Sequence, residues 1–239
     1  MTFVLPIVLG HRGARAVQTE NTIKAFCYCC QSGVRWVELD AMLSKDGTVM
    51  VFHDETLERM AGRKERTDEL TAEQLSELPL KPQGRIPTLA EVLQTLNGFQ
   101  ACVNIEIKPS RFDLVRETAR RIWQVVCETG FDDSDRLLFS SFAWDALEEV
   151  AVLAPHIRRG VLVGKESGDW RAAAKKVKAY SVNYDAKLLT PEIIAEIKKD
   201  GYRLMAYTVN DPDQAKRLYA NGVDSFFCDD PVLMSKALA

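Results

Sequence analysis

The sequence predicts an α/β fold: a closed (β/α)8 TIM barrel with a β-hairpin after the second strand and a small insertion over about 54–88 on the active-site side. Three observations predict it. Short apolar strands alternate with amphipathic helices along the chain, the pattern of a parallel sheet with helical cover. Eight such units fit into 239 residues, close to the roughly 250 of a typical barrel. No G-x-G-x-x-G follows the first strand, which weighs against an open dinucleotide-binding sheet. With no linker, low-complexity tract or second core, residues 1–239 read as one domain.

Residues 7–10 are a short apolar run ending in His11-Arg12-Gly13. A helix over about 21–31 should follow, with Thr19 or Asn21 as its N-cap and Gly33 ending it. The next strand is 35–43. Side chains alternate along a strand, so Glu38 and Asp40 share one face while Val37 and Leu39 share the other. Lys45-Asp46-Gly47 is a turn signal and 49–52 is strand-like again. Such a hairpin would bring Phe52-His53 back beside Glu38-Leu39. Residues 54–88 read as polar and irregular, broken by Pro79, Pro82 and Pro87, with Thr71 capping a short helix at 72–77. That length exceeds a simple connection and suggests an insertion.

A short helix at 89–96 leads to a strand at 101–108, stopped by Pro109. Here Asn104, Glu106 and Lys108 should form an unusual inward polar set, because Val103, Ile105 and Ile107 would meet a covering helix at 114–129. Further strands are expected near 137–140, 159–163, 181–183, 203–207 and 225–228. The helices between them are expected at 143–153, 170–179, 191–200 and 212–221. Pro191 and Pro212 stand at first helical positions, and Gly201 and Gly222 stand just past helix ends.

A net charge of −3 and a pI near 5.7 argue against binding nucleic acid through bulk charge. Six cysteines show no zinc-ligand spacing and read as small buried apolar residues in a reducing compartment. The N-terminus lacks the basic segment of a signal peptide, and no membrane span is expected, so a cytoplasmic protein is anticipated.

In a (β/α)8 barrel the chemistry lies at the C-terminal strand ends. His11 and Arg12 close the first strand, Glu38 and Asp40 the second, and Glu106 and Lys108 the third, with His53 returned by the hairpin. Taken alone, Glu38 and Asp40 read first as a charged solvent face, because paired carboxylates are common on exposed strands, and Lys108 reads equally well as a surface charge. The same i, i+2 polar pattern at 106 and 108 favours one shared cluster. Glu38, Asp40 and Glu106 suit one hard divalent cation, Mg2+ or Ca2+; zinc would recruit more His or Cys. Arg12 and Lys108 suit a phosphate, one as a fork and one as a point charge. His11 and His53 suit proton transfer near neutral pH. Together these groups can cleave a phosphodiester. His156 reads as a solvated loop residue, and Arg15 and Lys24 as surface charges.

The ordered set His11-Arg12-Gly13, Glu20-Asn21-Thr22, Glu38-Leu39-Asp40, Lys45-Asp46-Gly47, His53-Asp54, Asn104 to Pro109, Tyr207 to Asn210 and Gly222-Val223-Asp224 resembles the glycerophosphodiester phosphodiesterase family from residue 7 to about 231. The resemblance, to cytoplasmic bacterial members, implies metal ligands at Glu38, Asp40 and Glu106, with Arg12 and Lys108 near the phosphate. It implies His11 as base and His53 as acid, with the substrate's glycerol 2-hydroxyl attacking phosphorus to give a cyclic phosphate. The substrate would be a small glycerophosphodiester, such as glycerophosphocholine or glycerophosphoethanolamine. Two departures stand out. Tyr207 occupies a position where many members carry Trp, and Asn183-Tyr184-Asp185 lacks a His found in some relatives. A lysophospholipase D-like activity would want an apolar trough, which 54–88 is too polar to offer. A catalytically inactive binding barrel should have lost a ligand or histidine, and none is missing.

Overall fold

The computed structural model describes residues 3–238. Met1 and Thr2, which begin the stretch lacking a basic leader segment, lie outside the described residues, as does Ala239. The elements run in the order β1 (Val8–Gly10), α1 (Ile23–Gln31), β2 (Trp36–Leu43), β3 (Val49–Val51), α2 (Glu58–Ala61), α3 (Ala72–Glu77), α4 (Leu89–Gly98), β4 (Cys102–Ile107) and α5 (Val115–Glu128). They continue as β5 (Leu137–Ser141), α6 (Trp144–Leu153), β6 (Arg158–Val163), α7 (Trp170–Lys176), β7 (Ser181–Asp185), α8 (Pro191–Lys199), β8 (Arg203–Tyr207), α9 (Pro212–Ala220), β9 (Ser225–Cys228) and α10 (Pro231–Leu238).

β1 pairs in parallel with both β9 and β2, so eight parallel strands close into a barrel. β3 lies outside it, antiparallel to β2. The strand faces divide as the barrel demands. Outward residues such as Val37, Leu39, Val103 and Ile105 pack with Phe26, Leu93 and Ile122 of the covering helices. Inward residues Leu9, Trp36, Cys102, Leu138, Met205 and Phe227 form a separate apolar cluster inside. Helix ends follow local chemistry. Thr190 and Asp211 cap α8 and α9 with Pro at the next position, and Gly201 and Gly222 take positive φ past their ends.

The structure corrects several expectations. The N-cap of α1 is Thr22, whose hydroxyl accepts from the Ala25 N–H. Asn21 is diverted: its backbone is left-handed at φ 55°, and its side chain donates to Asp40. Thr19 contributes a backbone oxygen to the Thr22 hydroxyl instead of a cap. The hairpin forms, but Ala41 pairs with Val51 and the Phe52 N–H donates to the Asp40 carbonyl. Phe52 is thus opposite Asp40, one step further along β2 than expected. α7 stops at Lys176, short of 179, where Lys178 turns left-handed. α10 was not anticipated.

The 54–88 segment is neither irregular nor wholly polar. Leu57, Met60, Leu75, Leu80 and Ile86 bury against Met42, Met50 and Phe52 in a core of their own. These residues are scattered over α2, α3 and intervening loops, so no periodicity announced them. The six cysteines are free; Cys29, Cys102 and Cys228 are buried as expected, but Cys27 and Cys30 are half-buried and Cys127 is exposed, because they fall outside the buried stripes of their helices. Among the described residues, no helix is long and apolar enough to cross a membrane.

Candidate active site

The site begins with a strained turn. Gly10 ends β1, and a Cβ there would lie 2.3 Å from the Gly13 carbonyl oxygen. Arg12 follows at φ 51° and Gly13 at φ 83°, both left-handed. A non-glycine residue held there costs on the order of 1–3 kcal/mol, and such strain clusters at functional sites. The turn points the Arg12 N–H at Glu38 Oε2, 2.8 Å away. Its carbonyl accepts from the Asn21 N–H, and the Asn21 amide reaches Asp40 Oδ2 at 2.8 Å. One loop therefore orients both inward carboxylates of β2.

The register of β2 and β4 supplies the third carboxylate. Glu38 lies opposite Asn104, and Asp40 opposite Glu106. One carboxylate oxygen from each of Glu38, Asp40 and Glu106 lies within 4.8 Å of the others. Lys108 Nζ sits 3.5 Å from Asp40 and 3.8 Å from Glu106, and Arg12 Nε sits 3.4 Å from Asp40. The charges are unequal in effect. Burial tends to raise Asp40, but Lys108, Arg12 and His53 outweigh it and bring its carboxyl to about 2. Burial, helped by Asp40, pushes Glu106 up to about 7 against the pull of Lys108. Burial with Asp40 and Glu106 close by holds Glu38 well above the ordinary carboxylate range. Three oxygen donors that repel one another in a buried space fit a hard divalent cation, which would replace protons there. The Asn104 side-chain oxygen, buried without a hydrogen-bond partner beside this cluster, adds a neutral acceptor.

The histidines are braced alike. His11 Nδ1 is 2.6 Å from Asp229 Oδ1, and Asn210 holds the other Asp229 oxygen at 2.8 Å. His53 Nδ1 is 2.6 Å from Asp54 Oδ1, and Arg59 forks onto both Asp54 oxygens at 2.6 and 3.0 Å. A carboxylate on Nδ1 fixes the ring and leaves Nε2 for the reacting group. Burial lowers the pKa of His11, outweighing the Asp229 hydrogen bond that raises it, which favours the neutral ring. Asp54 stays ionised: burial opposes this, but bonds from His53 and Arg59 hold its carboxyl below the usual range.

A cavity of about 260 Å³ opens over these groups, and His11, Arg12, Glu38, His53, Glu106 and Lys108 all line it. Asp40, almost fully buried, lies beneath the lining. One wall is aromatic. Tyr207 donates its hydroxyl to the Val163 carbonyl at 2.8 Å and meets Phe142 edge-on at 5.8 Å. The seven predicted site residues thus come together. Arg15, expected as a surface charge, also lines the cavity and lies 3.0 Å from Glu20. Lys24 and His156 are exposed as expected. Sequence reasoning missed Asp229 and Arg59 and gave no supporting role to Glu20 and Asn210, although both stand in the motifs that carry the resemblance. An acidic residue just past the last barrel strand was the available signal for Asp229.

Comparison with known proteins agrees with this geometry. Residues 11–233 match the model of the glycerophosphoryl diester phosphodiesterase family. A glycerophosphodiester phosphodiesterase of Caldanaerobacter subterraneus subsp. tengcongensis is 33% identical over 232 residues, covering 94% of each chain. A phosphodiesterase of Oleispira antarctica, solved with the product sn-glycerol-3-phosphate, is 30% identical, with a TM-score of 0.91 over 98% of this chain and 97% of that one. The Thermotoga maritima glycerophosphodiester phosphodiesterase is 31% identical, with a TM-score of 0.79 over 98% of both chains.

Proposed function

The chain belongs to the glycerophosphoryl diester phosphodiesterase family, and from that premise we propose that it hydrolyses small glycerophosphodiesters to sn-glycerol 3-phosphate and an alcohol through His11 and His53 over a divalent cation site. One observation carries this reading: two histidines, each braced by a carboxylate, face one cavity with a three-carboxylate cluster and two cations. The product bound in the Oleispira antarctica relative supports a glycerol phosphate ester as the substrate class.

Glu38, Asp40 and Glu106 would hold the cation, Mg2+ or Ca2+, whose chemistry is to neutralise charge on the phosphoryl oxygens. Arg12 and Lys108 stand beside those carboxylates and would grip the same phosphate from the protein side. His11, whose neutral form burial favours, would take the proton of the substrate's glycerol 2-hydroxyl as that oxygen attacks phosphorus. His53, oriented by Asp54, would give its proton to the alkoxide as the P–O bond to the alcohol breaks. The glycerol keeps the phosphate as a cyclic diester, which water then opens with the histidines exchanging roles. An attacking group tethered in the substrate can contribute about 7–11 kcal/mol through proximity. Tyr207 and Phe142 would form the wall against which the glycerol or head group packs.

Most of the large apolar side chains of 54–88 are taken up in a core of their own, which weighs against an acyl-chain site there. A glycerophosphodiester is therefore preferred over a lysophospholipid. The test is release of sn-glycerol 3-phosphate from glycerophosphocholine and glycerophosphoethanolamine, beside lysophosphatidylcholine. His11→Ala and His53→Ala should each lower kcat by about 10²–10⁴-fold with the thermal unfolding midpoint unchanged. Turnover at wild-type rate by either variant contradicts the assignment.

A further inference from the structure

We propose that Arg59, reaching in from the insertion, is a positioning residue for leaving-group protonation: its fork holds Asp54, and through it His53, while its other edge docks on Glu20. The inference rests on His53 being the acid.

Arg59 lies on α2, which belongs to the insertion and not to the barrel. Its guanidinium spans two carboxylates. Nε and Nη2 donate to Asp54, and Nη1 and Nη2 donate to Glu20 at 2.9 and 2.6 Å. Glu20 is nearly buried and also takes Arg12 at 2.8 Å and Arg15 at 3.0 Å. The chain His53–Asp54–Arg59–Glu20–Arg12 thus runs unbroken from one histidine to the residue facing the phosphate. The two ends are unequally supported. Glu20 keeps Arg12 and Arg15 if Arg59 is lost. Thr67 holds the Asp54 backbone carbonyl, but apart from Arg59 the one partner of the Asp54 carboxylate among the described residues is His53 itself, so that carboxylate loses its anchor and the ring loses its orientation. A planar fork can brace both oxygens of one carboxylate while reaching a second; a lysine ammonium cannot.

When the P–O bond to the alcohol breaks, its electron pair goes to the departing oxygen, and the proton of His53 Nε2 goes with it. Losing the orientation of His53 therefore matters for an alkoxide that needs that proton. It matters little for a leaving group stable as an anion. A residue that merely fastens the insertion has no such selectivity.

The experiment compares glycerophosphocholine with the p-nitrophenyl ester of glycerol 3-phosphate, which keeps the same attacking hydroxyl. Arg59→Gln should lower kcat on glycerophosphocholine by about 10–100-fold, the usual range for groups that orient an active-site side chain, with KM nearly unchanged. On the nitrophenyl ester the first-turnover release of nitrophenol, which precedes ring opening and its second use of His53, should stay near wild type. Equal loss on both substrates, or no loss on either, overturns the proposal. Should Arg59→Gln not fold, Arg59→Lys keeps the charge without the fork and is expected to give the same selective loss. His53→Ala run in parallel separates the premises. If it also spares the nitrophenyl ester, the acid assignment stands and the Arg59 variants decide. If it loses both substrates equally, the acid assignment itself fails, and this proposal with it.

Discussion

Glu106 and Glu38 sit where burial and neighbouring negative charge favour their protonated forms, whereas Asp40 beside them is held ionised by Lys108 and Arg12. This asymmetry gives a sign to the pH dependence of ion binding. Below pH 7 Glu106 carries a proton that a cation must expel. Apparent affinity for Mg2+ or Ca2+ should therefore rise with pH from about 5 to about 7, by about tenfold per unit for each proton displaced. The contribution of Glu106 should level off above 7. Titration calorimetry in two buffers of different ionisation enthalpy measures the protons released; affinity that stays flat between pH 5.5 and 7 contradicts the site. The principal residues were legible because their types are scarce and their spacing unusual. His11 and His53 are two of three histidines, and Glu38, Asp40 and Glu106 interrupt apolar strands. Asp229 was not legible as a partner, because it lies 218 residues from His11 and meets it only when the barrel closes. Arg15 is exposed, as read, but its pairing with Glu20 at the cavity rim was not legible, because that contact forms only when the loop folds.

At the scale of elements, the His11–Gly13 turn links backbone strain to function. Gly13 is left-handed, and a Cβ there would lie 2.7 Å from the Ala25 side chain and 2.9 Å from its backbone. Gly13→Ala should destabilise the protein by about 1–3 kcal/mol, through an incompatible φ and contact with backbone that cannot yield. It should also raise KM, because Arg12 and the Glu38 hydrogen bond turn on the same three residues. Urea unfolding and steady-state kinetics read the two effects separately. A Gly13→Ala variant with wild-type stability contradicts the reading. Elements with regular periods were legible in the sequence: β8 and β9 lie where the apolar runs fall, and α8 and α9 start at their prolines. The insertion was not, because its core is assembled from single apolar residues on short pieces. Asn21 was mistaken for a cap because Asn is a good cap wherever its amide is not needed elsewhere, and here Asp40 takes it.

Over the whole molecule, barrel closure is what converts scattered motifs into one site. β1, β2 and β4 stand side by side, so His11, Glu38 and Glu106 reach the same cavity although they are spread over about a hundred residues. The overall charge of −3 says nothing of this, because the chemistry depends on a few opposed charges held close together. In the proposed reaction the attacking hydroxyl is the substrate's own: the protein would supply a base, an acid, cations and a place for a metal, and the substrate would supply the nucleophile. The central claim is that the three carboxylates hold a cation on which turnover depends. The most direct measurement is sn-glycerol 3-phosphate release from glycerophosphocholine after exhaustive EDTA treatment, with Mg2+ and Ca2+ restored separately, in the wild-type protein and in Glu38→Ala. The expected result is loss of activity on chelation, recovery in wild type with at least one of the two ions, and no recovery in the variant at the same concentration. Undiminished turnover after chelation, or wild-type turnover by Glu38→Ala, contradicts it.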